Sequence, residues 1–106
     1  MSTIDAPFEM TNLLPKDTGL PFVVWISNKV GATHDVRVRV TWTAKAILAE
    51  MISVGIRPHV HVVEGLLDSG ELELLATWIE KNYGTLISYW EGDIDTQDAL
   101  GALARV

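Results

Sequence analysis

The segment from Asp68 to Trp90, DSGELELLATWIEKNYGTLISYW, decides the fold because a helix start is followed by apolar residues at helical spacing. Asp68 and Glu71 have the spacing of a capping box, in which each side chain accepts a hydrogen bond from the backbone amide of the other. Leu72 begins a stripe of apolar residues on a helical wheel. The other members all lie within about 60° of Leu72: Leu75, Ala76, Ile79, Tyr83, Leu86, Ile87 and Trp90. We predict one helix from near Ser69 to near Trp90, with this stripe against a core.

Three further apolar residues of the predicted helix, Leu74, Trp78 and Tyr89, lie at about 200–260° on the same wheel, away from the stripe. A helix that buries only its stripe would leave this second flank in water, so the same chain or a partner must cover it. Because aromatic residues dominate protein interfaces, the three residues are the candidate interface. Gly84 costs a continuous helix about 1 kcal/mol relative to alanine, which leaves open a break after Tyr83.

The residues before the helix have the patterns of β strands. Phe22–Ile26 is a short apolar run, and residues 35–43 alternate, with Arg37 and Arg39 on the face opposite the apolar one. The apolar face of the second segment contains Val36, Val38, Val40 and Trp42. Further strands are predicted over about residues 51–56 and over His59–Glu64, while residues 44–54 as a whole fit either strand or helix.

These elements predict a single α+β domain over residues 22–106, with a mostly antiparallel sheet of about four strands. One long and one short helix follow the sheet, the short one capped by Asp95. Residues 1–21 show no sustained period and are predicted to form a flexible arm.

Composition and charge limit the classes of function. The 106 residues contain no cysteine, which excludes disulfides and thiolate zinc sites, and no apolar stretch is long enough to span a membrane. With no signal-peptide pattern, we expect a cytoplasmic protein. The net charge of −6 comes from residues 62–106, which have nine acidic and two basic residues. Such a surface repels nucleic acid and suits a basic protein partner, or simply keeps the domain soluble.

Two pairs of side chains are candidates for binding chemistry. His59 and His61 are two apart on a strand, so both imidazoles project to one face about 6–7 Å apart and could bind a metal ion with a third ligand. Sequence alone offers Glu64, Asp35 and His34 for that third position. Arg37 and Arg39 share a strand face and could bind carboxylates or phosphates through paired hydrogen bonds.

Catalytic motifs and cofactor motifs are absent from the sequence. The serines lack the flanking glycines of a nucleophile elbow, and no glycine-rich phosphate loop is present. An enzyme is therefore the less favoured interpretation, and no cofactor is predicted.

The motif RPHVHV at residues 57–62, followed by Glu64-Gly65, LLATWIEKN at residues 74–82 and Trp90, resembles a known family. The family consists of short bacterial proteins of unknown function, often associated with toxin–antitoxin loci, and is marked by a Pro-Pro-His-x-His strand and a C-terminal helix with a spaced Trp pair. Arg57 stands where the first proline of that motif belongs. The resemblance implies a small α+β domain with a regulatory role and brings no catalytic residues.

The leading functional hypothesis is a protein–protein interaction module, a small regulator or inhibitor that can also associate with itself as a homodimer. The alternative is a small metal-binding protein or metal-dependent enzyme centred on His59 and His61. Third comes nucleic-acid binding through Arg37 and Arg39.

Overall fold

The β strands form one antiparallel sheet in which each strand pairs with its neighbour in sequence. The computed structural model describes residues 10–45 and 50–106. The strands of this part of the chain are β1 (Met10–Leu13), β2 (Val23–Ser27), β3 (Arg37–Thr41), β4 (Ile52–Gly55) and β5 (His61–Glu64). Their order in the sheet is β1-β2-β3-β4-β5, a meander. The α+β prediction is confirmed, and the strand count of about four is corrected to five.

The additional strand comes from the segment predicted to be a flexible arm. β1 pairs along its whole length with β2, and the short helix α1 (Pro15–Thr18) follows it. Leu13 and Leu20 are both buried in the main core. The arm prediction is therefore wrong for residues 10–21, while residues 1–9 lie outside the described part of the chain. A strand of four residues is too short to reveal a period in the sequence.

One face of the sheet carries the main core, as the alternation predicts. Val36, Val38 and Val40 are buried there, together with Val24 of β2 and Val54 of β4. Trp42, which the alternation places on the same face, is 56% exposed because β3 ends at Thr41. Its ring instead makes an edge-to-face contact with Phe22, with the ring centres 5.5 Å apart.

The predicted long helix is two helices, α2 (Ser69–Lys81) and α3 (Tyr83–Glu91), and α4 (Thr96–Ala102) follows them. The predicted capping box is present, since the Asp68 carboxylate accepts from the Glu71 amide at 2.7 Å and the Glu71 carboxylate accepts from the Asp68 amide at 3.0 Å. The break comes at Asn82, so the prediction of a helix continuous to Trp90 is wrong. No helix among the described residues is long and apolar enough to cross a membrane.

The buried side chain of Asn82 explains the position of the break. Its Nδ2 donates to the carbonyl oxygens of Trp78 and Ala104, and its Oδ1 accepts from the Ala104 amide. These bonds fix the C-terminal segment, Leu103–Val106, against the junction of α2 and α3. The Val106 amide donates to the Thr18 carbonyl at 2.9 Å, so the same segment also contacts the end of α1.

Candidate functional site

The candidate interface on the helices is mostly buried inside the molecule. Trp78 is 0% exposed and Tyr89 is 3% exposed, whereas Leu74 is 47% exposed. The Tyr89 hydroxyl lies 2.8 Å from the Thr96 hydroxyl oxygen, which ties it to α4. The expectation that Trp78 and Tyr89 form an exposed flank is therefore wrong, because the chain itself covers them. The wheel fails here because it treats α2 and α3 as one helix and takes no account of the segments that pack over them.

The other face of the sheet, which we call the outer face, carries the basic residues of the sequence prediction. Residues directly opposite each other on neighbouring strands share a face, and Arg39 lies opposite Trp25 on one side and Ser53 on the other. Trp25 and Ser53 are buried, and the Trp25 indole donates to the Thr41 hydroxyl at 2.9 Å. Burial lowers the pKa of Arg39, and the neighbouring positive charge lowers it further. The outer face is thus only partly in water.

A second row on the outer face, one pleat along, places Arg37 and His61 on either side of Gly55. Arg37 lies opposite Gly55, and Gly55 lies opposite His61. A Cβ atom on Gly55 would lie only 2.5 Å from Cε1 of His61, so the imidazole lies directly over this glycine. Because Gly55 has no side chain, the side chains of β3 and β5 can approach one another above this position of β4. Together with Asp35, Arg57 and Val63 they line a hollow of about 200 Å³.

Among the described residues, the ion pairs around this hollow leave Arg37 without a charged partner. Arg57 donates from Nε and Nη2 to the two carboxylate oxygens of Asp35, each at 2.8 Å. This bond lowers the pKa of Asp35 to about 2 and raises that of Arg57. Lys29 pairs with Glu91 at 2.6 Å and lowers its pKa. Arg37, by contrast, makes no ion pair or side-chain hydrogen bond with any residue in 10–45 or 50–106.

His59 and His61 lie close together, with ring centres 5.2 Å apart. Nδ1 of His61 is 2.7 Å from the carbonyl oxygen of His59, a contact that holds the ring over the sheet. Of the third ligands that the sequence offers, Asp35 is bound by Arg57, and His34 stacks on Trp90 with ring centres 5.8 Å apart. Across the described ranges, no three histidine or acidic side chains are grouped so that they could hold a metal ion.

A larger cavity, of about 410 Å³, lies near the end of β1, between α1, α2 and the C-terminal segment. Trp78 lines it, and the indole Nε1 of Trp78 is buried with no acceptor among the described residues. A buried donor without a partner costs about 1–3 kcal/mol. The sequence does identify Trp78, but as an interface residue, and it gives no sign of this cavity, which is built from segments distant in sequence.

No protein-family model, curated protein or solved structure matches the chain. The comparisons therefore bring no function to it from another protein.

Proposed function

We propose that the protein is an interaction module that binds an acidic segment of a partner protein at the hollow of the outer face. The supporting observation is the Arg37 guanidinium, which lines the hollow without an ion-pair partner among the described residues. Its neighbours Arg57 and Lys29 are both bound to carboxylates. A guanidinium forms its strongest contacts with a carboxylate, which it can bind through two parallel hydrogen bonds.

The size of the hollow and the charge of the chain favour a single carboxylate over a polyanion. A volume of about 200 Å³ suits one side-chain group. The net charge of −6 repels an extended phosphate backbone, which makes nucleic acid a poorer occupant than an aspartate or glutamate.

The position of the hollow beside β5 favours a protein partner over a free small anion. Within residues 10–45 and 50–106, β5 is an edge strand that pairs with β4 alone, so one side of its backbone can accept a further strand. Val63 on β5 is 43% exposed and Leu66 just beyond it is 90% exposed. An extended segment that pairs with β5 places its alternate side chains on the outer face, beside His61.

A short valine-rich peptide with a single central glutamate, with its single-glutamine counterpart as the neutral control, tests this function. We expect the glutamate peptide to shift the backbone amide resonances of β5 in a saturable way and to bind at least about tenfold more weakly to Arg37→Gln, since a hydrogen bond to a charged group contributes about 1.5–3 kcal/mol. Gly55→Ala should also weaken binding, because the added methyl group displaces the His61 ring.

Lys45→Gln is the matched control, since it removes one positive charge from an exposed residue outside the hollow. The affinity of Lys45→Gln for the glutamate peptide should stay within about twofold of that of the parent protein. Equal weakening in Lys45→Gln and Arg37→Gln would indicate diffuse charge attraction and contradict the proposal. Concentration-dependent association of the protein without peptide, lost in Arg37→Gln, would instead identify a second copy as the occupant.

A further inference from the structure

The hollow of the outer face contains a second residue that can bind an anion, His61, beside Arg37. The two residues lie on either side of Gly55, which has no side chain to separate them. A Cβ atom on Gly55 would lie 2.7 Å from Nε2 of His61, which places this nitrogen above β4, the strand between His61 and Arg37. A carboxylate that binds Arg37 in the hollow therefore lies close to Nε2 of His61.

The hydrogen bonding of His61 determines which ring nitrogen carries the proton. Nδ1 lies 2.7 Å from the carbonyl oxygen of His59, and because a carbonyl oxygen can only accept, Nδ1 is the donor. In the neutral imidazole the other nitrogen, Nε2, is then an acceptor. Nε2 is not buried, and it makes no hydrogen bond within residues 10–45 and 50–106. It is thus the nitrogen that an occupant of the hollow meets.

The charge of the imidazole determines how Nε2 interacts with a carboxylate. Neutral His61 presents a lone pair at Nε2, which repels a carboxylate oxygen and cannot donate a hydrogen bond to it. Protonation places a hydrogen on Nε2 and a positive charge on the ring, so the same nitrogen becomes a charge-assisted donor. A histidine side chain undergoes this change between about pH 5 and 8.

The charged groups that face His61 from β3 and from the end of β4 do not change over this range. Arg37 on β3 remains protonated, as arginine does in proteins. Arg57, which follows β4, is bound to Asp35, and this bond holds the pKa of Asp35 at about 2, so that carboxylate stays ionised. The lining of the hollow therefore keeps these three charges from about pH 5 to 8.

His59 and Glu64 are the remaining charged or titratable groups close to His61. Glu64, on β5 itself, lies opposite Ser53, one row along the outer face. The ring centre of His59 is 5.2 Å from that of His61, and His59 can also gain a proton in this range. His59 is not among the described residues that line the hollow, so His61 is the lining residue whose charge responds to the pH.

We propose that His61 is the pH-sensitive residue of this site, and that the hollow binds an acidic segment more tightly when His61 is protonated. This inference rests on the proposed function, because it concerns the same carboxylate ligand. Arg37 and protonated His61 both bind that carboxylate. Protonation and ligand binding favour each other by the same factor, so the gain in affinity is present below about pH 6 and is lost as the pH rises to about 8.

The single-glutamate peptide, with both termini blocked, tests this inference at about pH 5.5 and about pH 8, because its carboxylate is ionised at both. We expect the parent protein to bind it at least about fivefold more tightly at the lower pH, while binding of the single-glutamine peptide changes by less than about twofold. The Cε1 proton resonance of His61 follows its protonation in the full chain. Saturating glutamate peptide should move the midpoint of that titration upward by about one pH unit.

Two histidine variants show which imidazole is responsible. His61→Gln should bind the glutamate peptide within about twofold equally at the two pH values. His59→Gln is the matched control, because it removes the neighbouring imidazole and keeps the backbone carbonyl that holds His61, and it should retain at least about a threefold difference. Loss of the pH dependence in both variants would indicate the net charge of the protein and overturn the proposal.

The outcomes separate this inference from the proposed function. Saturable binding that depends on Arg37 but not on pH leaves the interaction module in place and overturns the role of His61 alone. No saturable binding up to about 10 mM at either pH overturns both. The titration of His61 uses the parent chain, so an unmoved midpoint in the presence of bound peptide overturns the proposal whether or not His61→Gln folds.

Discussion

Replacing Asn82 by alanine should release the C-terminal segment from the junction of α2 and α3. The Asn82 side chain is 4% exposed and makes three hydrogen bonds. Its Nδ2 donates to the Trp78 carbonyl at 2.9 Å and to the Ala104 carbonyl at 3.0 Å, and its Oδ1 accepts from the Ala104 amide at 2.7 Å. Alanine removes all three and leaves both backbone groups of Ala104 without these partners.

The expected loss of unfolding free energy follows from these three bonds. An intramolecular hydrogen bond contributes about 1 kcal/mol net, and a buried group left unsatisfied costs about 1–3 kcal/mol. Since Ala104 is only half-buried, water can replace part of what is lost. We therefore expect Asn82→Ala to lower the unfolding free energy by about 2–4 kcal/mol, a large share of the 5–15 kcal/mol typical of a domain.

Urea denaturation gives the free energy, and amide hydrogen exchange shows where the loss occurs. The amides of Ala104 and Val106 should lose protection in Asn82→Ala before the rest of the sheet does. Asn28→Ala is the control, because Asn28 makes one exposed hydrogen bond, to the Val30 amide at 3.1 Å, and should cost less than about 1 kcal/mol. A loss below about 1 kcal/mol in Asn82→Ala, with Ala104 still protected, would refute the reasoning.

Two further predictions concern the sheet and its charges. Because Arg57 holds the Asp35 pKa at about 2, below its ordinary 3.8, the stabilisation is complete above pH 3.8 and is lost as the pH falls through 2. The stability difference between the parent and Asp35→Asn in urea titrations should therefore close over that window, and a constant difference would contradict the assignment. Val38→Asp should cost about 3–5 kcal/mol in the same assay, because the residue is 1% exposed, whereas Arg37→Ser should change stability by less than about 0.5 kcal/mol. If Arg37→Ser were the more destabilising of the two, the core would lie on the Arg37 face of β3, which contradicts the fold described above.

Local patterns in the sequence predict those parts of the fold that local interactions determine. The alternation around Val38 and the capping box of Asp68 and Glu71 depend on residues within one element, and both are present in the structure. The break at Asn82 depends on Ala104, 22 residues further along, so no helical period reveals it. Trp78 likewise lines a cavity together with residues of β1, α1 and the C-terminal segment, which the wheel of one helix does not include.

The candidate site shows the same division. The sequence identifies Arg37 and His61 from their residue types. Their positions on either side of Gly55, however, depend on the register of three strands. The ion pair of Arg57 and Asp35, by contrast, is predictable from the sequence. Asp35 precedes β3 and Arg57 follows β4, and the start of one strand meets the end of the next in an antiparallel hairpin.

The meander also has a consequence for how the chain folds. The four strand pairings of the described residues all join neighbours in sequence, so this part of the sheet can assemble through the closure of short loops, which is fast. The hydrogen bond from the Val106 amide to the Thr18 carbonyl spans most of the chain. Because closing so long a loop is costly before the elements between its ends are in place, we expect this contact to form after α2 and α3 have packed on the sheet. A contact that forms after the transition state slows unfolding without speeding folding. We therefore expect the hydrogen bond of Val106 to lengthen the lifetime of the native state.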